Sequence, residues 1–350
     1  MSRSKLFQPI LVGNVNLAHR VVLAPSTRVR ASASQAPLPL ATFIAPRAGG
    51  YKHAPGIWSD EQIAAWKHVT DRVHAKGSYM YLQLWALGRT ADVQVLAEAG
   101  VPCVSASDVP IKGRTAPRPL TVEEIQEYVQ LYATATSNAV HKAGFDGVEI
   151  HAANGYLLDQ FLHDRSNIRP DAYGGSVENR VRFPLEVVDA VVEAVGQKRS
   201  GMRLSPWGTF NDMHFDDPMP TYAHLVTELR ERYPALAYLH VVEPRVDGSV
   251  TVEVKEGYSN DFIRDIWEDR PLISAGGYTR ETAIATADHK GDLIAFSRLY
   301  IANPDLAYRL FYDIALAVGN RALYYAPGSS DPKGYTDYPF AGPVGEVHWH

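Results

Sequence analysis

The segment His151-Ala-Ala-Asn154-Gly-Tyr156 concentrates three side chains able to act on one small molecule. A histidine N–H and an asparagine amide N–H can converge on a single carbonyl oxygen, and the nearby tyrosine O–H can deliver a proton. Such a set suits chemistry that builds negative charge on oxygen. Taken alone, a His-x-x-Asn pair is structural more often than catalytic. Metal binding fits less well: no second histidine or carboxylate stands beside it at ligand spacing, and His163 and Asp164 belong to a following irregular segment.

Other polar residues interrupt apolar runs. Gln83 lies within Tyr81-Leu-Gln-Leu-Trp85, where a buried amide needs partners, either in the core or on the edge of a bound heterocycle. Arg203, in Met202-Arg-Leu-Ser-Pro206, must meet an anion or a strong dipole, because an unpaired buried guanidinium is costly. Gly276 and Gly277 close one apolar run and Arg298 closes the next, the arrangement of the phosphate site that recurs late in β/α barrels. No Gly-x-Gly-x-x-Gly loop follows a strand, so the pattern suits a mononucleotide. The lone cysteine, Cys103, reads as a small buried residue and leaves neither a disulfide nor a Cys-rich metal site, so the expected metal content is none.

Seven runs have strand character: His19 to Pro25, Ser78 to Trp85, Gly147 to His151, Met202 to Pro206, Tyr238 to Glu243, Pro271 to Ala275 and Leu293 to Arg298. Helical patterns lie between them: Ser59 to Lys76, Thr121 to Ala143, Ser176 to Val195, Thr221 to Tyr233, Ser259 to Ile266, Arg280 to Asp288 and Asp305 to Val318. This alternation predicts parallel βαβ units. Polar residues cluster at many strand ends rather than at one switch point, which favours a TIM-type (β/α)8 barrel over a doubly wound sheet. Ahead of the first strand, Ile10 to Leu17 reads as a hairpin turning at Gly13-Asn14, placed to plug the barrel floor.

One stretch does not fit. Between Pro25 and Ala41-Thr-Phe43 there are only about 16 residues, too few for a return helix and a full strand. Pro37 and Pro39 also favour an extended path. The second βα unit therefore reads as truncated, without helix 1 and most of strand 2. Ala41 to Ala45 is expected as a residual strand beside Val21 to Ala24, leaving an apolar groove that invites a homodimer contact.

With 46% hydrophobic and 21% charged residues over 350 positions, the chain suits one globular unit spanning 1–350. A net charge of −5 without a basic run argues against nucleic acid as a partner. No apolar stretch reads as a signal peptide or membrane span, and a cytoplasmic location is the default expectation.

Together these segments resemble the Old Yellow Enzyme family of NADH:flavin oxidoreductases. The resemblance runs from Leu6-Phe-Gln-Pro to Gly334-Tyr-Thr-Asp-Tyr-Pro339 through Arg20-Val-Val-Leu-Ala-Pro-Ser-Thr-Arg-Val-Arg30, Pro55-Gly-Ile-Trp-Ser-Asp-Glu-Gln62, Leu82-Gln-Leu-Trp, Gly144-Phe-Asp-Gly-Val-Glu-Ile-His-Ala-Ala-Asn-Gly-Tyr-Leu and Tyr173-Gly-Gly-Ser-Val-Glu-Asn-Arg. It implies non-covalent FMN. Pro25, Ser26, Thr27, Ala41, Gln83, Arg203 and Tyr325 would surround the ring, and Gly276, Gly277, Ser297 and Arg298 the phosphate. It implies NAD(P)H as hydride donor and a small activated alkene as substrate, bound by His151 and Asn154 and protonated by Tyr156, with Trp85, Phe210 and Tyr325 shaping the pocket. Where this family usually carries glycine before the phosphate arginine, the chain has Ser297, whose Cβ would penalise a positive φ. The truncated unit is the other departure. It leaves two alternatives to an active ene-reductase: a flavin-poor remnant acting as a binding protein, or a non-flavin barrel isomerase or lyase.

Overall fold

The structure is a computed structural model describing residues 4–31, 41–248 and 250–342, with the backbone alone for 41–43. Eight parallel strands form its central sheet: β1 (Val21–Leu23), β2 (Ala41–Phe43), β3 (Tyr81–Trp85), β4 (Gly147–Ala152), β5 (Ser200–Leu204), β6 (Tyr238–Val242), β7 (Leu272–Ala275) and β8 (Leu293–Phe296). Their order is β1-β8-β7-β6-β5-β4-β3-β2, the sequence of neighbours around a TIM-type α/β barrel. All seven expected strands are present, each within two residues of the expected limits except at the start of β3. The interior strands β3 to β8 are almost wholly buried, as parallel strands covered on both faces must be.

The truncated unit needs a correction. Ala41–Phe43 pairs with β3, Ala41 lying opposite Gln83, and not with β1. Among the described residues β1 and β2 are the two ends of the sheet, so the barrel is open there. The proposed loss of helix 1 concerns residues 32–40, which lie outside the described residues.

Among the described residues seven helices of seven residues or more surround the sheet: α1 (Asp60–His74), α2 (Val122–Ser137), α3 (Val177–Val195), α4 (Met219–Arg232), α5 (Asp261–Trp267), α6 (Arg280–Lys290) and α7 (Leu306–Tyr312). Reciprocal capping boxes start three of them, Ser59 with Gln62, Thr121 with Glu124, and Thr279 with Thr282. The inner faces of the helices around β3 to β6 meet the sheet in one core centred on Trp66, Tyr132, Phe161, Phe183 and Trp267. None of the described helices is long and apolar enough to cross a membrane. The last helix is shorter than expected. Asp313 turns left-handed, and Asn303 then holds Ala317 in both directions, accepting its N–H at 2.7 Å and donating to its carbonyl at 3.2 Å.

The N-terminal hairpin (Ile10–Val12 with Val15–Leu17) forms as expected. Val12 and Val15 pack among Ala237, Tyr238 and Ile273 near the N-terminal ends of β6 and β7, covering the floor. Gly13 is left-handed, and a Cβ there would lie 1.9 Å from the Lys198 carbonyl oxygen, so only glycine fits.

Candidate active site

A cavity of about 390 Å³ opens at the C-terminal ends of the strands. Every site residue expected from the sequence lines it except Ala41, which is placed beside Gln83 by strand register alone. The loop after β1 contributes Pro25, Ser26 and Thr27; β3 contributes Gln83 and Trp85; β5 contributes Arg203. Tyr51, Val246, Tyr278, Arg321 and Tyr324 also line it and were not foreseen, because they sit in loops or in two- and three-residue segments too short to carry periodicity.

His151 and Ala152 end β4, and the chain then turns sharply. Asn154 and Gly155 are both left-handed, at φ 59° and 75°. The turn is held from several sides. Gly155 N–H donates to Asp159 Oδ2 at 2.7 Å, and Gln160 Nε2 donates to the Gly155 carbonyl at 2.7 Å. Asn154 N–H donates to Ser205 Oγ at 2.7 Å, and Asn211 Nδ2 donates to the Asn154 carbonyl at 2.9 Å. The backbone is therefore fully occupied, and Asn154 lines the cavity.

Aromatic edges set the other two members. Tyr156 meets Trp85 edge-on with centroids 4.7 Å apart and lies 5.1 Å from His151. Burial, and then the nearby Arg203 charge, push the His151 imidazole well below its usual range, so it is neutral and carries one N–H. Burial pushes the Tyr156 phenol well above its usual range, so it keeps its proton at any working pH.

Beneath the cavity lies a polar layer of the barrel interior. Gln83 Nε2 donates to Glu149 Oε1 at 2.7 Å, and His240 Nδ1 shares a hydrogen bond with Glu149 Oε2 at 2.8 Å. Arg203 lies beside His151 on one flanking strand and His240 on the other, with its buried Nε unpartnered.

The opposite end of the cavity is cationic and backbone-rich. Gly276 adopts φ 148°, and a Cβ there would lie 2.8 Å from Glu243 Cβ, so the backbone runs closer to its neighbour than a side chain allows. Gly277, also left-handed, and Arg298 complete this end. Ser297 adopts φ −107°, so the penalty expected for serine at that position does not arise. Tyr325 is 48% exposed and Phe210 39% exposed, both at the rim.

The wall carrying Tyr324 and Tyr325 is strapped to the segment after β1. Arg28 Nε donates to the Tyr324 carbonyl at 2.7 Å and Arg28 Nη2 to the Gly334 carbonyl at 2.9 Å. Arg30 Nη1 donates to the Asp331 carbonyl at 2.5 Å, and both guanidinium groups lie 4.8 Å from the Tyr335 ring centre.

These features fit FMN: an unpartnered buried guanidinium nitrogen at one end of the cavity, and at the other a backbone cradle that a Cβ would fill, next to an arginine. The comparisons with known proteins agree. The chain is similar to chanoclavine-I aldehyde reductase fgaOx3 of Penicillium roqueforti, 47% identical over 97% of each chain. It is also similar to a probable inactive dehydrogenase, easA, of Claviceps purpurea, 44% identical over 97% of this chain and 96% of that one. These alignments run over 363 and 369 positions, longer than the 350 residues of this chain, so they place gaps in it. Among solved structures, morphinone reductase in complex with tetrahydroNAD matches with a TM-score of 0.88 and 37% identity over 99% of this chain and 100% of that one. Old Yellow Enzyme from Pichia sp. matches with a TM-score of 0.87 and 34% identity, covering 97% and 94%. Residues 38–317 match the NADH:flavin oxidoreductase / NADH oxidase family, and this chain, an FMN-dependent oxidoreductase using a nicotinamide hydride donor, belongs to that family.

Proposed function

We propose that the protein reduces the C=C bond of α,β-unsaturated carbonyl compounds. The observation that carries this reading is the convergence of His151, Asn154 and Tyr156 on one cavity. The chemistry that FMN supplies when bound is a two-electron relay from NAD(P)H to the alkene carbon β to the carbonyl. His151 and Asn154 donate hydrogen bonds to the substrate oxygen and stabilise the charge that grows there. Tyr156 gives its proton to the α carbon. Arg203 and Gln83 hold the ring, Gly276, Gly277, Ser297 and Arg298 hold the phosphate, and Trp85, Phe210 and Tyr325 set the shape offered to substrate. The name of the Penicillium relative, an aldehyde reductase, supports a carbonyl-bearing substrate. The Claviceps relative is named a probable inactive dehydrogenase; reading this chain as active rests on Tyr156, which can supply the proton the reaction needs.

The test is anaerobic stopped-flow of the purified holoenzyme. Reduction by NADPH or NADH should bleach the flavin, and an α,β-unsaturated aldehyde or cyclic enone should restore its colour with a saturated product. Reduction followed by reoxidation with oxygen alone, and with none of a panel of enones, enals and nitroalkenes, defeats the reading.

A further inference from the structure

Glu149 is a carboxylate at the centre of the barrel, 4% exposed, that the chemistry above does not use. Both its oxygens are spoken for, one by Gln83 Nε2 at 2.7 Å and the other by His240 Nδ1 at 2.8 Å. Strand register sets the first of these contacts, because Gln83 lies opposite Glu149 across β3 and β4, while Arg203 lies opposite His151 and His240. An amide is asymmetric, so whichever end is held decides what the other end offers. With its nitrogen tied to a carboxylate, the Gln83 amide leaves its oxygen free to accept, and Gln83 lines the cavity.

We propose that Glu149 is a positioning residue for the cofactor: it fixes the Gln83 amide so that an acceptor faces the ring's imide N–H, and it offsets the charge of Arg203. The inference rests on Gln83 and Arg203 facing the FMN ring. Burial alone would favour a neutral Glu149, but His240, Arg203 and the Gln83 hydrogen bond hold its carboxyl down to about 2, so the charge is present throughout the working range. A neutral carboxyl would leave Arg203 uncompensated and let the amide turn over.

Two measurements test this. Glu149→Gln has one acceptor oxygen where two are needed and no charge, so the midpoint potential of its bound FMN should rise. A tenfold change in the ratio of reduced to oxidised affinity corresponds to about 30 mV for a two-electron couple. A potential equal to or below that of the native holoenzyme, with FMN fully bound, overturns the proposal. The second measurement needs no variant. The native full-length chain stripped of flavin should bind FMN about tenfold more tightly than 3-methyl-FMN, which lacks the imide N–H, as one hydrogen bond warrants. Equal binding overturns the proposal even if the variant does not fold. Gln83→Ala separates the two layers of argument: native FMN affinity in that variant defeats the reading of Gln83 itself, whereas weakened binding together with an unmoved Glu149→Gln potential defeats only the part assigned to Glu149.

Discussion

Asp159 Oδ2 accepts the Gly155 N–H at 2.7 Å, while its Oδ1 accepts the Tyr222 hydroxyl at 2.8 Å. A carboxylate buried in the short helix Leu157–Leu162 thus holds the turn between the two residues proposed to bind and protonate the substrate. Asp159→Ala should lower stability by about 2 kcal/mol, the cost of leaving the Gly155 and Tyr222 donors unpaired. Enone turnover should fall further than that loss explains, which thermal melts paired with steady-state kinetics on the folded fraction will show.

Replacing Tyr156 by Phe removes one proton and little shape. Flavin reduction by NAD(P)H should remain within about twofold of native, while alkene reduction slows by about 100-fold. Because burial holds the phenol well above its usual range, the native alkene half-reaction should be flat from pH 6 to 9. A stopped-flow pH series on both forms checks both statements.

Arg298→Ala should weaken FMN retention by about 10- to 100-fold, as expected for a lost charge-assisted contact to phosphate. Release of flavin on dilution, followed by its fluorescence, gives the ratio. Mass spectrometry of the released cofactor should give FMN and not FAD.

The Glu149 carboxyl titrates near 2 in the fold against an ordinary value of 4.5. Its stabilising contribution is therefore complete above pH 4.5 and is lost as pH falls through 2. The stability gap between native and Glu149→Gln proteins, read from urea midpoints, should narrow progressively below pH 4.5.

Arg28→Ala should free the Tyr324 and Gly334 carbonyls and loosen the rim. Limited proteolysis should then cut between residues 320 and 335 faster than in the native protein, and the enone KM should rise while flavin reduction is spared.

Much of this was legible in the sequence because parallel strands leave a plain signature. Runs such as Gly147-Val-Glu-Ile-His151 are buried on both faces, and the polar residues that interrupt them lie inside the barrel or at its top. Gln83, His151, Arg203 and Arg298 were visible as such interruptions, and all four line the cavity. Glu149 interrupts its run equally, yet it passed unremarked beside the more reactive His151. Tyr51, Tyr278 and Tyr324 gave no periodic signal, since loop geometry alone brings them to the cavity. The pairing of Ala41–Phe43 was misjudged for a different reason. Three residues carry no register information of their own, and proximity in sequence to β1 counted for less than the ladder offered by β3.

The strap from Arg28 and Arg30 to residues 323–334 sets an order of assembly. On a growing chain the first barrel strand and its two arginines emerge early, while the carbonyls that satisfy them are made some 300 residues later. Until then, both guanidinium groups must remain in water, and the loop after β1 has no reason to adopt its final path. The rim formed by Tyr324 and Tyr325 is thus the last part of the site to close. A ribosome stalled before residue 321 would carry an almost complete barrel with an unfinished cofactor site.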